Sequence, residues 1–393
     1  MTLITDTADL ESLVARLRTA PYVTVDTEFM RETTFWPKLC LIQLADAQGA
    51  YAVDPLAQGL DLAAFYELMF DEGVLKVFHA CRQDMEIFFH ATGRLPVPVF
   101  DTQVAAMVCG YGDSVGYETL VKKVAGKSLD KTARFTDWSR RPLSERQIRY
   151  ALGDVTYLRE IYERLSAELE RTGRQGWVAE EMALLTDPAT YEMPPEDAWR
   201  RIKLRSGSSR FLARVQALAK WREEEARRRD VPRSRIAKDN VLTEVAAHPP
   251  ARIEQLDEIR GLSKGFHKSG AGRGLWKALE DAEAIPDSEL PPRRRDDRDK
   301  SPAPPVTELL KLLLKLRCRE AGVASRLVAS ADEIEAIARD DGADVKPLKG
   351  WRYELFGRDA LALKHGRLAI AATRGDVEII ELEEDTETAE TTP

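Results

Sequence analysis

The sequence predicts an α/β domain, a mixed sheet with flanking helices, followed by two small all-α units. Three observations carry this expectation. Short apolar runs alternate with helical patterns through the first half of the chain, as strands and helices do when they share one sheet. The link between "LCLIQLA" and "AYAVDP" is too short for a crossover helix, so some neighbours must be antiparallel. Beyond about Ser206 only helical periodicity remains.

The elements follow in order. "TLIT" is a strand, and Leu10, Leu13, Val14 and Leu17 recur at helical spacing. "YVTVDTEF", "LCLIQLA" and "AYAVDP" are three strands, and a helix spans Asp61–Phe70. "LKVFH" is the next strand, then a helix from Arg82 to Ala91 stops at Gly93. After the strand "VPVFD", Asp101 caps a helix rather than binding a metal. "YETLVKKVAG" and "SERQIRYALGDVTYLREIYERLSAEL" are helical and complete a domain over residues 1–190. Residues 206–285 make an all-α unit, opened by "FLARVQALAKWREEEARRR" and broken at Pro232. "GAGRG" (Gly270–Gly274) follows no strand and is expected as a loop, not a phosphate cradle. Residues 286–305 are rich in proline and charge, hence a linker. Residues 306–375 form a second small helical unit, and 376–393 an acidic disordered tail.

The bulk numbers narrow the class. A chain of 393 residues is too long for one core, and 44% apolar with 32% charged residues suits a globular protein. It has no apolar run of membrane-spanning length, and "MTLITDTADLESL", with acids and no apolar stretch, is not expected to act as a signal peptide. Cys40, Cys81, Cys109 and Cys318 lie far apart with no CxxC, so reduced thiols of a cytoplasmic protein are expected. His79, Cys81 and His90 lack zinc-ligand spacing. The net charge of −8 hides a basic middle: Arg200 to Asn240 holds fourteen Lys/Arg against five Asp/Glu. Those arginines either meet phosphates or form a solvated helix face on which Glu223–Glu225 pair some of Arg227–Arg229.

"YVTVDTEFMRE" (Tyr22–Glu32) carries the sharpest signal. In a strand Asp26 and Glu28 project to one side, where like charges repel. Either a divalent cation held by oxygen ligands offsets the repulsion, or both acids are hydrated at a strand end. Asp84 falls in the first turn of a helix, where an acid is common on its own account. Asp154 follows Tyr150 by four residues on one helix face, among Leu152, Val155 and Leu158. A carboxylate beside an apolar stripe is costly unless something binds it. One shared site would explain all four acids, and hard oxygen ligands suit Mg²⁺ or Mn²⁺ rather than zinc.

Four strings, "VDTEFMRETTFWPKLCLIQLA", "KVFHACRQDMEIF", "VFDTQVAA" and "LDKTARFTDWSRRPLSERQIRYALGDVTYL", closely resemble the ribonuclease D family. That family lies in the tyrosine branch of the DEDD superfamily of 3′–5′ exonucleases. "LAKWREEEARRRDVPRSRIAKDNVLTEVAAHPP" resembles an HRDC domain, and "LVASADEIEAI…PLKGWRYELFG" a more divergent second one. The resemblance implies a ribonuclease H-like fold for the first domain. It places metal ligands at Asp26, Glu28, Asp84 and Asp154, the catalytic tyrosine at Tyr150, and two divalent ions, Mg²⁺ or Mn²⁺. Asp26 would bridge both ions, Glu28 and Asp154 hold the one that activates water, Asp84 the other, and Tyr150 orient the water. Nucleoside 5′-monophosphates would leave from a single-stranded RNA 3′ end, with tRNA precursors as implied substrates; nothing in the sequence demands more than a monomer. Substrate contacts are expected from Gln43 and Phe29 in the cleft, though Phe29 serves equally well as a core residue, and from Arg210, Arg214, Arg227 and Arg233. Asp137, Trp138 and Arg141 are expected to be structural. Two other readings stay open: a proofreading-type DNA exonuclease, which the same acids would serve, and a non-catalytic nucleic-acid-binding protein.

Overall fold

Alternating apolar positions become a six-stranded mixed sheet in the computed structural model, which describes residues 3–129, 136–204, 206–293 and 302–382. Asp130–Phe135 of the quoted "LDKTARFTDW" string, Arg294–Ser301 of the expected linker and Glu383–Pro393 of the expected tail lie outside the described residues. The strands are β1 (Leu3–Ile4), β2 (Tyr22–Met30), β3 (Lys38–Ala45), β4 (Ala50–Val53), β5 (Leu75–Phe78) and β6 (Val99–Asp101), in the order β1-β4-β3-β2-β5-β6. β3 pairs antiparallel with β2 and β4, while β5 runs parallel to β2. Central β2 therefore has partners on both edges, and Val23 and Val25 are wholly buried.

The chain divides into two compact units. One comprises Met1–Val99, Asp130–Thr156 and Ala183–Ser301; the other Phe100–Leu129, Tyr157–Met182 and Pro302–Pro393. In the first, α1 (Thr7–Leu17) buries Leu10, Leu13, Val14 and Leu17, the stripe its sequence spacing marks. α2 (Ala63–Met69) precedes β5, and α3 (Arg82–Thr92) ends at left-handed Gly93, φ 69°. α4 (Thr102–Val108) and α5 (Tyr117–Val124) belong to the second unit, and Asp101 Oδ1 accepts the Gln103 N–H at 2.7 Å as a helix cap. α6 (Glu145–Thr172) and α7 (Gln175–Leu185) run through both.

A helical module completes the first unit: α8 (Ser209–Arg229), α9 (Arg233–Ile236), α10 (Asp239–Ala247) and α11 (Gly270–Glu283). Leu212, Val215 and Leu218 of α8 pack with Val241, Leu242, Leu275 and Leu279. Ala198, Ile202 and Leu204, just before the expected boundary at 206, pack into the same core. The 3₁₀ turn Pro195–Arg201 lacks the periodicity that would have marked it. "GAGRG" is likewise no loop but the start of α11. Its glycines permit close approach: a Cβ on Gly272 would lie 2.0 Å from the Phe266 carbonyl oxygen. Gly272→Ala is therefore expected to destabilise the module by about 1–3 kcal/mol, the usual cost of overpacking. Calorimetric unfolding of the full chain tests this, and a change under about 0.5 kcal/mol would contradict the close packing.

In the second unit, α12 (Val306–Ala321), α13 (Ser325–Val328) and α14 (Ala331–Arg339) follow, α14 opening with a Ser330–Glu333 capping box. α15 (Gly350–Arg352) continues through the π turn Tyr353–Gly357 into α16 (Arg358–Lys364). The Trp351 ring stacks on Trp177 at 4.3 Å. The expected disordered tail from 376 is corrected at its start. β7 (Leu368–Thr373) and β8 (Asp376–Glu381) form an antiparallel hairpin. Arg374 and Gly375 both have positive φ, which makes the two-residue turn whose twist suits a hairpin. No described helix is long and apolar enough to cross a membrane.

Candidate active site

The even-numbered face of β2 turns toward α6, where Thr24 Oγ1 donates to the Val155 carbonyl at 2.9 Å. That contact sets the strand against the first turns of the helix and brings its acids to Asp154. Carboxylate oxygens of Asp26, Glu28 and Asp154 all lie within 4.8 Å of one another. A register shift between Glu28 and Phe29 interrupts the pairing with β3 immediately beyond the second acid, the kind of bulge that re-aims side chains. Asp84, buried in the first turn of α3, accepts a hydrogen bond from Thr27 Oγ1.

The electrostatics make these acids one group. Burial, then the charges of Asp154, Asp84 and Glu28, hold the Asp26 carboxyl well above the usual carboxylate range. Burial and the charges of Asp154 and Asp84 push Glu28 up to about 8. Four oxygen-donor side chains that cannot all ionise together fit a hard divalent cation, which removes the repulsion and gains ligands. Among the described residues His79, Cys81 and His90 form no such group; the His90 ring is stacked on Trp36 at 3.9 Å.

Tyr150 precedes Asp154 by one helical turn, and its ring centroid lies 6.1 Å from that of Trp138. Trp138 is buried, and its carbonyl accepts from Arg141 Nη1 at 2.7 Å. Arg141 grips buried Asp54 through Nε and Nη2, both at 2.6 Å, and reaches the Cys40 carbonyl at 2.7 Å. Sheet, loop and helix are thereby locked where the tyrosine stands, the structural part expected of Trp138 and Arg141.

The structure thus brings Asp26, Glu28 and Asp154 together with Asp84 within their field, sets Tyr150 one helical turn before Asp154, and distributes the remaining candidates as follows. Phe29 is half-buried beyond the bulge. Gln43 does not line an open cleft: it is wholly buried opposite Asp26 in the β2–β3 register, and its amide has no hydrogen-bond partner. Arg210 donates to the carbonyls of Ala282 and Ile285 and pairs with Asp287. Arg214 pairs with Glu283 and reaches the Ala246 carbonyl. Both arginines are thus engaged in holding the module together. Arg227 and Arg233 pair with Glu223 and still line a cavity. Sequence reasoning missed Thr27; its one signal is its place between two acids, and its partner is 57 positions away.

Comparison with known proteins agrees with this geometry. A 3′–5′ exonuclease family model matches residues 1–170, and an HRDC domain model matches residues 211–272. The chain is 52% identical to ribonuclease D of Acidiphilium cryptum over 380 residues, 97% of each chain. It is 51% identical to ribonuclease D of Nitrobacter hamburgensis over 381 residues, covering 97% of this chain and 100% of that one. The crystal structure of Escherichia coli RNase D, described as an exoribonuclease involved in structured RNA processing, matches with a TM-score of 0.81. Identity is 31%, over 93% of this chain and 98% of that one. With half its residues identical over nearly its whole length, the chain belongs to the ribonuclease D family, with a 3′–5′ exonuclease domain followed by an HRDC domain.

Proposed function

We propose that this 3′–5′ exoribonuclease trims single-stranded RNA 3′ ends, including those of tRNA precursors, and releases nucleoside 5′-monophosphates. The convergence of Asp26, Glu28 and Asp154 within 4.8 Å carries the reading. Asp26, Glu28, Asp84 and Asp154 would hold two Mg²⁺ or Mn²⁺ ions. When bound, such ions supply a nucleophilic water at neutral pH and offset charge growing on the phosphate. Asp26, under the field of the other three acids, would contribute to holding both ions. The Tyr150 hydroxyl donates to the attacking water and orients it, while Trp138 fixes the ring. Trp351 and its surroundings form a second, divergent HRDC domain, and the protein works as a cytoplasmic monomer.

A timed digest of a 3′-extended tRNA transcript, beside DNA of the same sequence, tests the proposal. Mg²⁺ should support stepwise release of 5′-monophosphates from RNA, excess chelator should abolish it, and added Mg²⁺ or Mn²⁺ should restore it. Faster digestion of DNA would overturn the RNA preference. Activity surviving full chelation would overturn the metal requirement.

A further inference from the structure

One face of α3 points away from the acids. Arg82, Glu86, Phe89 and His90 recur at i, i+4, i+7 and i+8 along it, whereas Asp84 turns inward to Thr27. This outer face borders a cavity of about 540 Å³, to which the helical module adds Arg227 and Arg233 and the preceding segment adds Tyr191 and Arg201.

Its charge is unbalanced. Buried Glu223 pins Arg227 at 3.1 Å and also pairs with Arg233, whose Nη2 lies 2.7 Å away. Both guanidinium groups sit over the Phe35 ring, at 5.6 and 4.5 Å. These two are ordered before any ligand arrives. Arg82 and Arg201 also line the cavity, with no described carboxylate within ion-pair distance. Desolvation, then the like charges of Arg233 and Arg227, hold Arg201 below the ordinary arginine pKa. Against four arginines the lining offers two carboxylates, Glu192 and Glu86, and Arg31 already engages Glu86 at 3.2 Å.

The walls are aromatic. Trp36 stacks on His90 with the ring planes 8° apart, and Phe89 lies 6.2 Å from Tyr191. Desolvation keeps His90 below its usual pKa, which favours the neutral, stacking form. Asp230 accepts the backbone N–H groups of Phe35 and Trp36 at 3.0 and 3.1 Å. The loop between β2 and β3 is thereby clasped to the helical module.

Forked cations and flat rings in one cavity suit a nucleotide, since guanidinium binds phosphate bidentately and a base of any identity stacks. We infer that this cavity holds one nucleotide of the substrate RNA upstream of the bond being cut, its phosphate on Arg82 and Arg201 and its base against Trp36 and Tyr191. The inference rests on the exoribonuclease reading for its ligand. It places the site on the far side of α3 from the acids, so it bears on binding and not on the chemical step.

The test uses the full chain, a fluorescein-labelled twelve-nucleotide RNA and an R82Q/R201Q double variant. With chelator present, so that nothing is cut, the Kd of the variant should rise about tenfold. Losing two single-strand phosphate contacts should make the log Kd against log salt slope shallower by about 1.4. With Mg²⁺, KM should rise by a similar factor while kcat stays within about twofold. The R82K/R201K variant should keep the salt slope and recover part of the affinity, which separates lost charge from a damaged fold. An unchanged Kd and slope would overturn the proposal, as would a kcat that falls as far as kcat/KM. If the wild-type protein cuts no RNA, the exoribonuclease reading fails, and the binding arm alone decides the cavity.

Discussion

Asp26→Asn is expected to lower kcat/KM on RNA about a thousandfold, which is about 4 kcal/mol of lost transition-state stabilisation at 1.36 kcal/mol per tenfold. Asp26 shares a 4.8 Å cluster with Glu28 and Asp154 and also feels Asp84. An amide there keeps the shape of the side chain but loses the charge that recruits a cation. Activity within tenfold of wild type would remove Asp26 from the centre of the site.

The same substitution should have the opposite effect on the metal-free fold. Asp26 and Glu28 hold protons more tightly folded than unfolded, Glu28 up to about 8. The native state then binds more protons than the unfolded chain between about pH 4.5 and 8, so this cluster loses stability as pH rises through that window. With chelator at pH 8, Asp26→Asn should melt above wild type, and the difference should close by pH 5. Saturating Mg²⁺ should raise the wild-type Tm at pH 8, more than at pH 6, because cation and protons compete for the same oxygens. A variant that melts below wild type at pH 8 without metal would mean that the acids do not repel as their spacing implies.

How much of this was legible in the sequence depended on the reach of each contact. Asp26 with Glu28 and Tyr150 with Asp154 are local pairs, so strand and helix periodicities alone put each pair on one face. The meeting of the two pairs is tertiary and hangs on contacts such as Thr24 Oγ1 to the Val155 carbonyl, 131 positions apart. The cost of four unpaired acids suggested a shared site, and the family resemblance named its members. Charge counting says little about partners in the basic region. It registers Arg210 and Arg214 but not the carbonyls of Ala282, Ile285 and Ala246 that receive them. It counted Arg201 among many without setting it apart and did not reach Arg82; both lie in ordinary helical and turn sequence and gain meaning from what faces them. The hairpin after Gly366 was hidden by acids: in "DVEIIE" the composition suggests disorder, while the Arg374–Gly375 turn and the facing "LAIAAT" strand order it.

Tyr150→Phe is expected to cost about a hundredfold in kcat, about 2.7 kcal/mol at 1.36 kcal/mol per tenfold, with little change in KM. The substitution removes one hydroxyl and leaves the ring against Trp138, which Arg141 and Asp54 hold in place. Packing, the carboxylate cluster and metal binding should therefore survive. The Mg²⁺-induced rise in Tm should match wild type, and affinity for RNA in chelator should be unchanged. In the proposed mechanism what disappears is the donor that would orient the attacking water, an interaction worth more in the transition state than in the ground state, so the loss belongs in kcat. The contrast with Asp26→Asn is the decisive part: one variant loses activity together with the metal response, the other loses activity and keeps it. A Tyr150→Phe protein with kcat within twofold of wild type would assign the water to the carboxylates alone. One that loses the metal response would mean that the hydroxyl helps build the metal site rather than aim the water.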